Sequence, residues 1–205
     1  MGLSTYGELK TAVADWLDRP DLEARMPDLT ALARARIHHG RGRAHAWPSP
    51  PLRLRAMEHE APVELDESGV AALPDGFLGL IRVSGDGGRR LRFVTPEAFG
   101  GGGGGVYTVE GTAIRGTPAA VLRVRFYRPF PALAADGDSD WLLANAPEVH
   151  LYGVLLESAP YLRSDERLAM WATLYNGAID GLMAADRAAA RPAEGLAVGP
   201  EGATP

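Results

Sequence analysis

Residues 141–191, WLLANAPEVHLYGVLLESAPYLRSDERLAMWATLYNGAIDGLMAADRAAAR, decide the fold of the C-terminal half. Two apolar runs flank Ala159-Pro160-Tyr161-Leu162-Arg163, where proline withholds a backbone donor and stops a helix. In the second run Leu168, Trp171, Tyr175, Ala178 and Leu182 recur at steps of three and four, the spacing of one helix face. The pattern predicts helices over 147–160 and 164–190. Pro147 opens the first, and Val149, Leu151, Tyr152, Leu155 and Leu156 nearly encircle it, so it should lie deep or between subunits. The second starts near Ser164, with Asp165 and Glu166 where the amide dipoles favour negative charge. No reactive group sits on its apolar face, which reads as a surface for packing against protein.

Working toward the N-terminus, the period changes. Phe130-Pro131-Ala132-Leu133 leaves a β region over 62–130, and the acidic Asp136-Gly137-Asp138-Ser139-Asp140 reads as a solvated turn. Within the β region, Leu122, Val124 and Phe126 alternate with Arg123, Arg125 and Tyr127, the signature of a half-buried strand. Two hairpins are expected: one over 78–94 turning at Ser84-Gly85-Asp86-Gly87-Gly88, and one joining Val106–Val109 to Ala113-Ile114. Six glycines at 100–105 predict a mobile loop, since a strand rather than a helix follows them and no phosphate-binding Lys and Ser/Thr are present.

The first helix, over 5–19, begins with a capping box, Thr5 and Glu8, and turns Leu9, Val13, Trp16 and Leu17 to one side until Pro20 ends it. A second, over 27–39, opens at Pro27 and directs Leu29, Leu32, Ala33 and Ile37 inward. The expected architecture is α+β: four main helices, two N-terminal and two C-terminal, around a small antiparallel β-hairpin region. One domain over 1–191 precedes a tail, 192–205, whose large apolar residues are Leu196 and Val198 and which reads as disordered in the isolated subunit.

Composition bounds the function. The 205 residues are 46% hydrophobic and 23% charged, enough for one ordinary core. The absence of cysteine excludes a disulfide framework, a thiolate metal site and a cysteine nucleophile. No run has the apolar length of a membrane span and the N-terminus lacks a leader pattern, so a soluble product with no membrane partner is expected. A net charge of −5 opposes general affinity for a phosphate backbone. Chemistry is thin. His38, His39 and His45 lack the carboxylates or further ligands of a metal site, and His59 and His150 stand alone. The serines lack a nucleophile elbow, so no catalytic, cofactor or metal residue is assigned. A basic cluster, Arg34, Arg36, Arg41, Arg43, Arg53 and Arg55, meets no acid until Glu58 and offers positive potential to an acidic protein or to DNA, or simply solvated side chains.

In order along the chain, Tyr6-Gly7-Glu8-Leu9-Lys10, Trp16-Leu17-Asp18-Arg19-Pro20-Asp21-Leu22 and Ala33-Arg34-Ala35-Arg36-Ile37 are followed by Leu73-Pro74-Asp75-Gly76-Phe77-Leu78 and Tyr107-Thr108-Val109-Glu110-Gly111. Then come Phe126-Tyr127-Arg128-Pro129-Phe130-Pro131-Ala132-Leu133, Trp141-Leu142-Leu143, Tyr152-Gly153, Ala159-Pro160-Tyr161-Leu162 and Trp171. This series resembles the tailed-phage head-to-tail adaptor, or connector, proteins over roughly residues 4 to 190. Two stretches depart from the resemblance, His38 to Leu52 and the glycine run.

The resemblance implies a structural virion protein at the head-tail junction, made in the bacterial host cytoplasm, with no catalytic residues and no cofactor. It implies a ring, usually of twelve copies, beneath the portal protein, with tail or stopper proteins as further partners and DNA only as passing cargo. The helical hairpin and first helix would form the contact between subunits, and the two hairpins would face the tail. The contact residues expected are Leu168, Trp171, Tyr175, Leu182, Arg187 and Arg191, with Arg34, Arg36, Arg41 and Arg43 from the basic cluster. The segment from Leu182 to Arg191 and beyond would reach the portal. Net negative charge would suit a channel through which DNA slides. Alternatives are another neck component, a stopper or tail terminator, or a monomeric regulatory or DNA-binding domain.

Overall fold

The structure is a computed structural model that describes residues 2–100, 105–162 and 166–190. It is α+β, with five helices rather than four: α1 Tyr6–Leu17, α2 Met26–His39, α3 Trp141–Asn145, α4 Pro147–Glu157 and α5 Arg167–Ala189. Seven strands lie between the N- and C-terminal helices: β1 Glu58–Glu64, β2 Val70–Ala72, β3 Gly79–Ser84, β4 Arg92–Phe93, β5 Val106–Glu110, β6 Ala113–Arg115 and β7 Val121–Tyr127. Among the described residues no helix is long and apolar enough to cross a membrane.

The capping box forms as the sequence requires. The Glu8 amide donates to Thr5 Oγ1 at 3.3 Å and the Thr5 amide returns to Glu8 Oε2 at 3.3 Å. Tyr6, Leu9, Val13 and Leu17 are buried below it, but Trp16 is not; its indole stands half out of the surface, edge-on to Tyr152. Leu32 is corrected likewise, since α2 buries Leu29, Ala33 and Ile37 and leaves Leu32 exposed. In both helices three residues per two turns suffice to fill the interface, and the fourth falls on the shoulder.

α4 is the centre of the helical core. Val149, Leu151, Leu155 and Leu156 are buried, as the encircling pattern predicts, and Val154 joins them, whereas Tyr152 is only partly buried. Gly153 makes this possible: a Cβ there would stand 3.4 Å from both Ala33 Cβ and the Tyr175 ring, so α2 and α5 approach α4 from two sides with no side chain between. α4 ends at Glu157 and passes into a 3₁₀ turn over Ala159–Tyr161. The expected start of the last helix at Ser164 lies outside the described residues.

β7 is the middle strand of a three-stranded antiparallel sheet, order β1-β7-β3, and its Leu122, Val124 and Phe126 form a second core with Val63, Val83, Tyr107 and Ile114. The other sheet has the order β2-β6-β5-β4. The expected hairpin at 106–115 is present as the antiparallel pair β5·β6. The expected hairpin at 78–94 is not. β3 pairs with β7, and Arg92-Phe93 lies parallel to Val106-Tyr107. Only the start of a return forms on the free edge of β3, with the bridge between Ser84 and Arg90 and the Leu91 amide donating to the Val83 carbonyl at 2.9 Å, before the chain turns to β5.

Candidate interaction surface

The long helix α5 has two unlike faces. Trp171, Ala172, Tyr175 and Ile179 are buried against the helical core, with Leu168, Ala178, Leu182 and Met183 partly buried beside them. The apolar face read from the sequence is therefore largely used within the chain itself. Trp171 and Tyr175 are each 0% exposed. On the opposite side Met170, Leu174, Gly177, Gly181, Ala184 and Ala188 follow one another at steps of four and three and are all exposed. A Cβ built on Gly177 or Gly181 meets nothing within 4 Å. This second face was not legible by hydropathy, since glycine and alanine carry little apolar signal. The clue in the sequence was the four-residue spacing of the two glycines, which lowers the helix surface where another backbone could approach.

The basic cluster is brought together, but as internal structure. Arg36 is buried; its Nε meets Glu157 Oε1 at 2.8 Å and its Nη1 donates to the Trp47 carbonyl at 2.8 Å. Arg41 joins the same carboxylate at 3.1 Å and also caps the Leu32 carbonyl. Arg34 donates to the Phe130 carbonyl, and Arg53 to those of His38 and Leu52. Arg55 grips Asp186 on α5. Glu157, far along the chain, supplies the acid that the local sequence lacked. Arg43 is exposed, Arg187 donates to the Met183 carbonyl one turn back, and Arg191 lies outside the described residues.

These ties close the 38–52 stretch. Gly40 takes φ +70°, where a Cβ would lie 2.6 Å from the Ser49 carbonyl oxygen, and Arg41 and Ser49 exchange backbone hydrogen bonds. The chain then returns through Leu52, whose amide donates to the Ile37 carbonyl and whose side chain is wholly buried.

Two buried ionisable groups escaped the sequence reading. Asp140 does not sit in a solvated turn. It caps α3, accepting from the Leu143 amide at 2.7 Å, and meets His150 Nε2 at 3.1 and 3.2 Å. Burial pushes its carboxyl up, but the bond and charge of His150, the Leu143 amide and Arg34 together outweigh that and hold it below the usual range. His38 sits against Phe130, and burial, reinforced by the charges of Arg34 and its neighbours, drives its pKa down to about 4. No group of three or more metal-ligating side chains with the geometry to hold an ion occurs among the described residues.

The open hollows are shallow. One, about 760 Å³, is lined by Ala56, His59, Arg128, Pro129 and the start of α3, Trp141 included. Taken together, a helical core cemented by internal charge pairs, two small sheets and an exposed helix face make up one α+β domain. The family described as SU10 adaptor protein matches residues 4–196, and the chain belongs to it. That is a family of phage head-to-tail adaptors, structural and not enzymatic. Comparison with curated proteins finds no match.

Proposed function

We propose that this adaptor assembles as a closed ring of twelve copies beneath the portal, joins it to stopper or tail proteins, and leaves a passage for DNA during ejection. Family membership supports the neck position, and one observation supports the ring: the exposed Met170, Leu174, Gly177, Gly181 face of α5. A 23-residue helix is about 34 Å long, enough for a substantial share of the roughly 800 Å² per partner that a stable contact needs. A face used head to tail against a different face of the next subunit generates a ring when the rotation closes.

In this reading the buried Trp171 and Tyr175 fix α5 to its own subunit. Leu168, Leu182 and Arg187, on the flanks, border the contact, and Arg191 leads toward the portal. Arg43 remains available to an acidic partner. Arg34, Arg36 and Arg41 serve the contact indirectly, by holding α2 and Glu157 in place. Because these guanidiniums are committed inside the subunit, the reading as a monomeric DNA-binding domain loses the patch that favoured it. The sheet end of the molecule would meet tail components.

The test is electron microscopy of the protein mixed with its portal. A twelve-fold ring seated on the portal is the expected result. A stoichiometry or position matching a stopper or a tail terminator, or particles that stay separate from the portal, would refute it.

A further inference from the structure

A second hollow, about 350 Å³, opens between β3 and β4, which are edge strands of the two different sheets. Its base is closed by the Leu91 amide, which donates to the Val83 carbonyl at 2.9 Å, and by the bridge between Ser84 and Arg90. Val83 is buried and Leu91 partly buried, so the floor is apolar. Tyr107 and Phe93 form a wall, edge to face with ring centroids 5.7 Å apart, and Phe93 is 51% exposed.

Arg82, Arg90 and Arg92 line the same hollow, and all three are exposed. They differ from Arg34, Arg36, Arg41, Arg53 and Arg55, whose guanidiniums are taken up by Glu157, Asp186 and main-chain carbonyls. The side chains of Arg90 and Arg92 make no hydrogen bond or ion pair among the described residues. Arg82 has a loose pair with Glu60 at 3.9 Å, and that carboxylate also lies 3.7 Å from Arg123. Burial pushes the Tyr107 phenol up and the positive charge of Arg90 opposes the shift, which puts that charge close to the aromatic wall.

Arginines and exposed aromatic rings around an apolar floor are the residue types that anchor protein contacts, and unpaired guanidiniums fix the sign of the partner's charge. We propose that this hollow docks an acidic segment of a partner protein, seating an apolar side chain on Phe93 and Leu91 and a neighbouring carboxylate between Arg90 and Arg92. A polypeptide can place its acids only where the arginines stand. A nucleic-acid strand would instead carry evenly spaced phosphates past the hollow to Asp86 and Glu97, exposed just beyond β3 and β4, on a chain of net charge −5. The inference concerns the chemistry of the hollow in the single subunit and stands or falls apart from the ring reading.

The probe is the capped peptide GSDLELDSG, titrated to millimolar concentration into isotope-labelled full-length protein and followed by amide chemical shifts. Saturable shifts centred on Val83, Leu91, Phe93 and Tyr107 are the expected result, and Arg90→Gln with Arg92→Gln should weaken the binding about tenfold. The same peptide with lysine in place of each acid should leave those amides unmoved, whereas Arg90→Glu with Arg92→Glu should reverse the preference between the two peptides. Both arginines are exposed, and unchanged amide shifts away from the hollow verify that each variant is folded; Arg92→Gln alone serves if a double variant is not. No shifts at the hollow, or shifts indifferent to the arginine changes, overturn the proposal. Oligothymidylate that moves the same amides and displaces the peptide would overturn it in favour of a nucleic-acid strand.

Discussion

His150 Nε2 lies 3.1 Å from Asp140 Oδ2, with both side chains almost wholly withdrawn from solvent, and this pair ties the N-cap of α3 to the first turn of α4. Asp140 also accepts the Leu143 amide, so one carboxylate serves as helix cap and as hydrogen-bond partner of a buried imidazole. Removing it leaves an orphan amide and a buried imidazole without its acceptor.

Asp140→Ala is therefore expected to destabilise the subunit by about 2 to 4 kcal/mol, combining a lost cap with a broken buried pair. Asp140→Asn keeps an acceptor for the Leu143 amide and should cost less. Chemical denaturation of the two variants against the parent checks the order; an Asn variant as unstable as Ala would show that the cap is irrelevant.

Glu157 holds two guanidiniums, those of Arg36 and Arg41, at 2.8 and 3.1 Å. Glu157→Gln should cost about 3 to 5 kcal/mol because it strands a buried arginine. Arg36→Lys should not rescue the site, since an ammonium cannot span Glu157 and the Trp47 carbonyl as the planar fork does. Thermal melts read both; a neutral Arg36→Lys would show that the second hydrogen bond is dispensable.

Stability should fall with acid before the carboxylates titrate. His38 is neutral when folded down to a pKa of about 4, whereas the unfolded chain takes up a proton near the ordinary 6.5. The stability is full above 6.5 and is lost as the pH falls toward about 4, by up to about 3 kcal/mol. His38→Phe should flatten the dependence in that window. Asp140, held below its ordinary range, contributes stability that is lost at still lower pH. Denaturation midpoints from pH 7 to 4 that overlay for parent and variant would sink this assignment.

Gly40→Ala forces a Cβ against the Ser49 carbonyl oxygen at a φ of +70°. An expected loss of about 1 to 3 kcal/mol, with faster hydrogen exchange at Arg41 and Ser49, follows from backbone strain at that position. Unchanged exchange would mean that the 40–52 loop relaxes freely.

Leu174 and Gly181 lie on the exposed face of α5, so Leu174→Glu and Gly181→Leu should each leave the melting temperature within about 2 °C. Both should abolish ring formation with the portal if that face is the contact between subunits. Retained rings in both variants, seen by electron microscopy, would move the contact elsewhere.

The helices were legible because each carries its own local code: Thr5 and Glu8 for the cap of α1, the encircling Val149 to Leu156 for a deep α4, the three-and-four spacing for the buried face of α5. The order of short matching strings along the chain likewise sufficed to indicate the adaptor family. Pairing was not local. Leu91 still bonds to Val83 of β3, but Arg92 and Phe93 pair with Val106 and Tyr107 of β5, partners that no local pattern around the turn at 84–88 specifies.

The same reason governs the surface. Sequence periodicity determined that α5 has an apolar side, but only the packed structure decided that α4 consumes it and that the glycine and alanine side is left uncovered. It determined that arginines cluster over 34–55, yet their fate was set by Glu157, Asp186 and the carbonyls that folding placed within 3.5 Å of them. A charge is solvated or buried according to its neighbours in space, and for this chain those neighbours lie up to 151 residues away.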